Sequence, residues 1–227
     1  MRRDSGIAIP SKRDCYPSLK FEKILWKDGF KYVAGVDEAG RGALAGPVAT
    51  AAVVLPPDPS LLQTLGGVRD SKLMTPQERE TWAPRIQATA VAWGIGFASA
   101  EEIDALGIVP ATKLAATRAL GVISTTSTHT YPDYLITDYL VFPEIEMPQT
   151  ALIKGDQISL SISAASVLAK TSRDAYMRAI DSRYPGYFFS QHKGYGTRLH
   201  LQSLEMLGMC AIHRKAFSIP ISRFSKG

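Results

Sequence analysis

Between Val91 and Ala98 large and small residues take turns. Val91, Trp93, Ile95 and Phe97 alternate with Ala92, Gly94, Gly96 and Ala98. A period of two predicts a strand, here with one bulky face and one face open to close approach. An apolar run from Tyr32 to Val36 reads as another strand and ends on two adjacent carboxylates, Asp37 and Glu38. Val48 to Leu55 reads as a third, stopped by Pro56-Pro57. Tyr134 to Thr137, ending at Asp138, and Thr150 to Lys154, ending at Gly155-Asp156, are shorter predicted strands.

Helical signals lie between these runs. Leu19, Ile24 and Leu25 predict a short helix ending near Trp26. Thr75-Pro76-Gln77-Glu78 has a capping threonine and a proline suited to a first turn, and Ser99-Ala100-Glu101-Glu102 starts another short helix. An alanine- and leucine-rich helix is predicted from Ala111 to Val122, followed by a polar stretch from Ser124 to Thr130. Ile158, Ile162, Ala165, Ala169, Ser172 and Tyr176 repeat at helical spacing and predict a long helix. Strands first, then strands alternating with helices, indicate an α/β domain with a mixed sheet. Residues 1–18 show no periodicity and are expected to form a loose arm, with one domain over 19–227.

Composition narrows the class. The chain has 227 residues, 45% of them hydrophobic, enough for one full core. No apolar run approaches the roughly 20 residues that span a membrane, and the N-terminus lacks a signal-peptide core. Cys15 and Cys210 suggest no disulfide framework, so a reduced, cytoplasmic setting is expected. A monomer is expected as well. The net charge of +5 is unevenly spread: from Arg183 onward seven basic residues face one acid, Glu205, leaving the rest of the chain at −1. Such a basic segment suits a polyanion such as nucleic acid, its alternative being a solvated tail.

The acids carry the candidate chemistry. Neighbouring strand residues point to opposite faces, so Asp37 and Glu38 can converge only where the strand ends or turns, which Gly40 and Gly42 permit. Asp37-Glu38, Asp138 and Asp156 each end a predicted strand, where the functional crevice of an α/β sheet lies. Four carboxylates repel one another unless cations join them, and two divalent ions about 4 Å apart would make a phosphodiester-cleaving clamp. No His-x-x-x-His pair is present, and oxygen-only ligands favour magnesium or manganese over zinc. Ser163, Ser166, Lys170 and Arg173 line one stripe of the long helix, offset from its apolar one, which suits a phosphate backbone. Lys170 and Arg173 could equally pair with Asp174. In His192-Lys193-Gly194-Tyr195-Gly196-Thr197-Arg198, Tyr195 is either an exposed stacking surface or a partly buried turn residue.

These pieces together resemble type 2 ribonuclease H, ribonuclease HII. The resemblance rests on Gly35-Val36-Asp37-Glu38-Ala39-Gly40-Arg41-Gly42 with Leu44-Ala45-Gly46-Pro47, then Asp70-Ser71-Lys72, Lys154-Gly155-Asp156, Ala164-Ala165-Ser166, Ala169-Lys170, Arg173-Asp174 and His192-Lys193-Gly194-Tyr195. In order, these run from about residue 19 to His213-Arg214. The resemblance implies a ribonuclease H-like fold, a five-stranded mixed sheet flanked by helices. It implies magnesium- or manganese-dependent cleavage, with two ions, of RNA in RNA–DNA hybrid duplexes and of DNA containing single ribonucleotides. It implies Asp37, Glu38, Asp138 and Asp156 as metal-binding catalytic acids. Gly40, Arg41, Gly42, Ser71, Lys72, Ser166, Lys170, Arg173, His192, Lys193 and Tyr195 are implied to meet substrate, Tyr195 as the substrate-sensing tyrosine. The family usually has glycine after its third acid, whereas Tyr139 follows Asp138 here, and Asp133 is the nearest competitor for that role. The chain stops soon after Ile219-Pro220-Ile221, so a C-terminal helical extension is not expected. About thirty residues precede the first predicted strand, which favours type 2 over type 3 ribonuclease H. A phosphate-loop nucleotidase is rejected because Arg41-Gly42 stands where Lys and Ser or Thr are needed. A non-catalytic nucleic-acid-binding module would leave the acids unexplained.

Overall fold

The structure, a computed structural model, describes residues 16–126 and 130–218. Five strands form one mixed sheet: β1 (Val33–Ala39), β2 (Val48–Val54), β3 (Ala92–Ala98), β4 (Tyr134–Asp138) and β5 (Gln149–Leu152), in the order β3-β2-β1-β4-β5. β1, β2 and β3 pair antiparallel, while β4 and β5 run parallel to β1.

Alternation on β2 divides the core. Ala51 and Val53 join Leu160, Ala164, Ala165 and Leu168 on one face, whereas Ala52 and Val54 join Ala116, Ala119 and Ile123 on the other. The first face is covered by α7 (Leu160–Ala179), α3 (Pro76–Thr89) and Leu61 of the one-turn helix α2 (Leu61–Thr64), the second by α5 (Ile108–Thr126). The small face of β3 is where α5 lies closest. A Cβ on Gly94 or Gly96 would stand 2.1 Å from the Ala119 or Ala115 carbonyl oxygen. The bulky residues of β3 are only half-buried, so its small face is the more deeply packed one.

Caps set the helix boundaries as the sequence predicts. Thr75 and Ser99 both form complete capping boxes, opening α3 and α4 (Ala100–Leu106). The short helix α1 (Lys20–Lys27) carries the buried Glu22, whose Oε1 accepts from Ser159 Oγ at 2.7 Å and from the Ser161 amide at 3.0 Å. Glu22 thereby fastens α1 to the N-terminus of α7, where a negative charge is favourable.

Several expected boundaries move. The helix predicted to end at Val122 continues to Thr126, into the expected polar stretch, of which 127–129 lie outside the described residues. β1 does not stop at its two acids; Asp37 pairs with Ala51 and Glu38 with Thr50. β5 ends at Leu152, and Asp156 sits in the first turn of the one-turn helix α6 (Gly155–Ile158). α7 is buried on all sides from Leu160 to Ala169, so the expected single stripe does not describe it; Ile158 and Tyr176 are exposed. Of the expected arm, residues 1–15 lie outside the described residues, and Ser18 is held by backbone hydrogen bonds to Ile158 and Leu160. The expected C-terminal end near Ile219 also lies outside them. Among the described residues no helix is long and apolar enough to cross a membrane.

Candidate active site

Parallel register gathers the first acids. β1–β4 pairing runs from Val33 with Tyr134 to Val36 with Thr137, so Asp37 and Asp138 stand one step further on, on neighbouring strands. Both share the face covered by α7, since residues two positions back, Gly35 and Ile136, pack on Ser161 and Ile162. Asp133, the competitor for the third acid, caps the other end of this strand pair; its carboxylate accepts from the Lys31 and Tyr32 amides at 2.8 and 3.0 Å. Asp156 reaches the same edge from α6, because the Gly155 amide donates to Asp138 Oδ1 at 2.7 Å. Asp37, Asp138 and Asp156 therefore follow one another along the edge, with Glu38 next to Asp37 on β1 and close enough for its charge to act on Asp37, although only Asp138 ends its strand as expected.

Electrostatics couple the group. Asp37 is 3% exposed; burial raises its pKa well above the ordinary value, and the charges of Glu38 and Asp138 push the same way. Its Oδ1 accepts from the Glu38 amide at 2.8 Å, but its Oδ2 is buried without a partner. Ser166, bonded to Ser71 through hydroxyls 2.8 Å apart, lies beside Asp37 and opposes the rise. Burial also raises Glu38 and Asp156, each partly offset by a cation. Arg41 Nη1 stands 3.1 Å from Glu38 Oε1, and Lys72 Nζ stands 3.2 Å from Asp156 Oδ2. Burial would lower the Lys72 pKa, but the attraction of Asp156, Asp70 and Asp37 holds it well above its ordinary value.

Among the described residues, no group of three or more His, Cys, Asp or Glu side chains is already arranged to hold a metal ion. Arg41 and Lys72 neutralise two of the four acids instead. The donors nevertheless suit a hard divalent cation: all are oxygens, neighbouring carboxylate charges help to raise Asp37, Glu38 and Asp156, and Asp37 Oδ2 is buried with its lone pairs unmet. Asp70, which sequence reasoning passed over, belongs here too. It is buried, accepts from the Lys72 amide at 2.9 Å and contributes to raising Asp156. Its signal was present in Asp70-Ser71-Lys72, where the acid precedes the cation it positions.

The expected substrate contacts divide into exposed and structural groups. Arg173 is fully buried. Its guanidinium donates to the carbonyls of Pro47 at 2.8 Å, Lys193 at 2.9 Å and Ala45 at 3.1 Å, which corrects the expectation that it meets a phosphate. Arg214, unanticipated, donates to Gly46 and Arg41 carbonyls at 2.9 and 2.8 Å. Two buried arginines thus pin the loop that carries Gly40-Arg41-Gly42. Gly40 has φ 94°, and a Cβ there would stand 1.9 Å from Arg173 Nε, so only glycine fits. Gly42 is exposed and open to solvent.

His192 is also interior, bonded to the Tyr187 carbonyl at 2.7 Å and to the Gly194 amide at 3.1 Å, not aimed at substrate. Lys193 lies half-buried on the carbonyl of Ser190. Lys170 pairs with Asp174 at 2.7 Å, and burial lowers its pKa. Ser163 bonds to the carbonyls of Asp156 and Ser159, again a structural role. Tyr195 is half-exposed, its ring centroid 5.2 Å from Lys170 Nζ and 5.3 Å from Arg173 Cζ. Its loop is tied to the first by the Leu44 amide donating to the Gly194 carbonyl at 2.8 Å.

Comparison with known proteins points to one family. A family model described as ribonuclease HII matches residues 34–219. A ribonuclease HII of Synechococcus sp. (strain JA-3-3Ab) is 50% identical over 204 residues, covering 89% of this chain and 88% of its own. The crystal structure of the ribonuclease H2 from Pyrococcus horikoshii OT3 superposes with a TM-score of 0.63 at 25% identity, over 86% of this chain and 99% of that one. The Bst-RNase HIII structure in complex with Mn2+ shares the fold, with a TM-score of 0.58 at 19% identity, over 79% of this chain and 64% of that one. The chain belongs to the ribonuclease HII family and is an endoribonuclease of RNA–DNA hybrids.

Proposed function

We propose that the chain also incises duplex DNA at a single embedded ribonucleotide, on its 5′ side, leaving a 3′-hydroxyl and a 5′-phosphate. The reading takes 19–227 as one catalytic domain acting as a monomer. The observation that carries it is the meeting of Asp37, Glu38, Asp138 and Asp156 at one sheet edge, with the Arg41 and Tyr195 loops fastened together beside them.

Two magnesium or manganese ions, when bound by the four acids, would activate the attacking water and stabilise the leaving oxygen. The chain's own residues position the strand. Gly40 and Gly42 let backbone groups approach a ribose closely enough to read its 2′-hydroxyl. Arg41, half-buried and already oriented by Glu38, offers the rest of its planar fork to the adjacent phosphate. Tyr195 presents its ring to the deoxyribose on the 3′ side, where a further hydroxyl would crowd it.

The test is a labelled DNA duplex carrying one ribonucleotide, run with and without magnesium beside all-DNA and long hybrid controls. Incision 5′ of the ribonucleotide is expected. Cutting of the long hybrid alone would refute the junction reading. Tyr195→Ala should slow cutting at the single ribonucleotide much more than Tyr195→Phe; equal losses would move the role from ring to hydroxyl.

A further inference from the structure

Tyr139, the residue after Asp138, has φ 64°, a left-handed backbone conformation that a side chain disfavours. The turn is firmly held in it. The Tyr139 amide donates to the Leu152 carbonyl at 3.0 Å, the Leu140 amide to the Asp138 carbonyl at 2.7 Å, and Thr137 Oγ1 to the Leu140 carbonyl at 2.5 Å. Leu140 and Phe142 anchor the segment in the core. The Tyr139 residue itself is 68% exposed. Glycine would take this conformation freely, so the ring strains the backbone while adding little buried surface to the fold. Strain of this kind, held by its surroundings beside a candidate catalytic acid, points to function.

The neighbours fit a nucleic-acid strand. Asp138 pairs with Leu152, so Tyr139 and Ile153 lie one step beyond, and Ile153 is 78% exposed. The exposed Lys154 follows, also left-handed at φ 57°, leading directly to Asp156. An aromatic, an aliphatic and a cation therefore continue the row of acids toward the β5 edge. Tyr195 lies on the other flank, because its loop is bound to the β1–β2 connection.

We propose that Tyr139 is a second aromatic contact to the cut strand, packing with Ile153 on a sugar 5′ of the scissile bond while Lys154 meets the neighbouring phosphate. The two tyrosines then bracket the acids. The proposal rests on these acids forming the cutting site.

The experiment measures duplex affinity by fluorescence anisotropy in chelator, where nothing is cut, for wild type, Tyr139→Ala, Tyr139→Gly and Tyr139→Phe. Alanine and glycine should each weaken binding about tenfold, the effect of withdrawing one packed ring from an interface. Phenylalanine should bind within about twofold of wild type. Tyr139→Gly should at the same time raise the Tm, since it relieves the strained φ. On a duplex whose cut strand starts at the scissile position and lacks every nucleotide 5′ of it, wild type and Tyr139→Ala should bind alike. Unchanged affinity of Tyr139→Ala on the full duplex, or a loss that persists on the shortened one, overturns the contact. Asp37→Asn, assayed alongside for cutting, separates the two readings: if it still cuts, the assignment of the acids fails independently of Tyr139.

Discussion

Asp37 is where folding and chemistry conflict most directly. Its carboxylate is buried, one oxygen lacks a partner, and two other acids face it. Asp37→Asn should reduce cutting below about a tenth of the wild-type rate in saturating magnesium while raising the Tm of the metal-free protein by about 2–4 °C. The sign follows from linkage. A carboxyl whose folded pKa is raised holds its proton more tightly folded than unfolded, so stability is lost as pH rises through the folded value. The advantage of Asn should therefore grow from acidic to neutral pH, and a flat difference between the two melting curves would contradict the assignment. At the third acid, Asp138→Asn should abolish cutting. Asp133→Asn should leave the rate per folded molecule intact and cost about 1 kcal/mol, because the Asp133 carboxylate accepts from the Lys31 and Tyr32 amides at the far end of the strand pair. Retained cutting by Asp138→Asn would exchange their roles.

At the scale of elements, two loops are joined by one guanidinium. Arg173 leaves α7 to reach Ala45 and Pro47 in the β1–β2 connection and Lys193 beside Tyr195. Lysine keeps the charge but cannot reproduce a fork spanning three carbonyls. Arg173→Lys is expected to cost about 2–4 kcal/mol and to lower cutting of every substrate. The salt dependence of duplex binding should not change, since no phosphate contact is removed. A flatter salt slope would return Arg173 to the substrate surface. Arg79 does comparable work nearby, donating to the Ser71 and Met74 carbonyls at 2.9 and 2.6 Å and so holding the turn that presents Lys72.

Across the whole molecule, a buried histidine relay links the Tyr195 loop to the C-terminal segment. His200 Nδ1 donates to the Tyr195 carbonyl at 3.0 Å, which leaves its Nε2 to accept from His213 Nε2, also at 3.0 Å. His213 Nδ1 is then free to accept from the Cys210 amide at 2.9 Å. The chain of donors closes only while all members are neutral. Burial accordingly lowers the pKa of His192 and His213, and lowers that of His200 to about 4. Because the unfolded chain takes up these protons first, stability should fall as pH drops from about 6.5 toward 4. His200→Gln should flatten that acid limb in a series of melts, and a limb left unchanged would rule the relay out as its cause. Weakened duplex binding over the same window is expected, since the Tyr195 loop hangs from His200.

Local chemistry, read along the chain, determined most of the architecture: period-two runs, capping boxes and acids that follow apolar runs depend on neighbours only a few residues away. The glycine face of β3, the helix at Thr75 and the candidate acids were legible for that reason. What the tertiary structure alone decided is which charges face inward. A basic residue on a helical stripe looks the same whether it meets solvent, phosphate or a carbonyl, so Arg173 and His192 read as substrate contacts until packing enclosed them. Register between strands far apart in sequence separated Asp138 from Asp133, and the docking of the Ser71–Leu73 turn on α7 through Ser71 and Ser166 brought Lys72 onto Asp156. The left-handed turn at Tyr139 was equally invisible, because a backbone angle forced by hydrogen bonds to Leu152 and Leu140 leaves no trace in the residue that must adopt it.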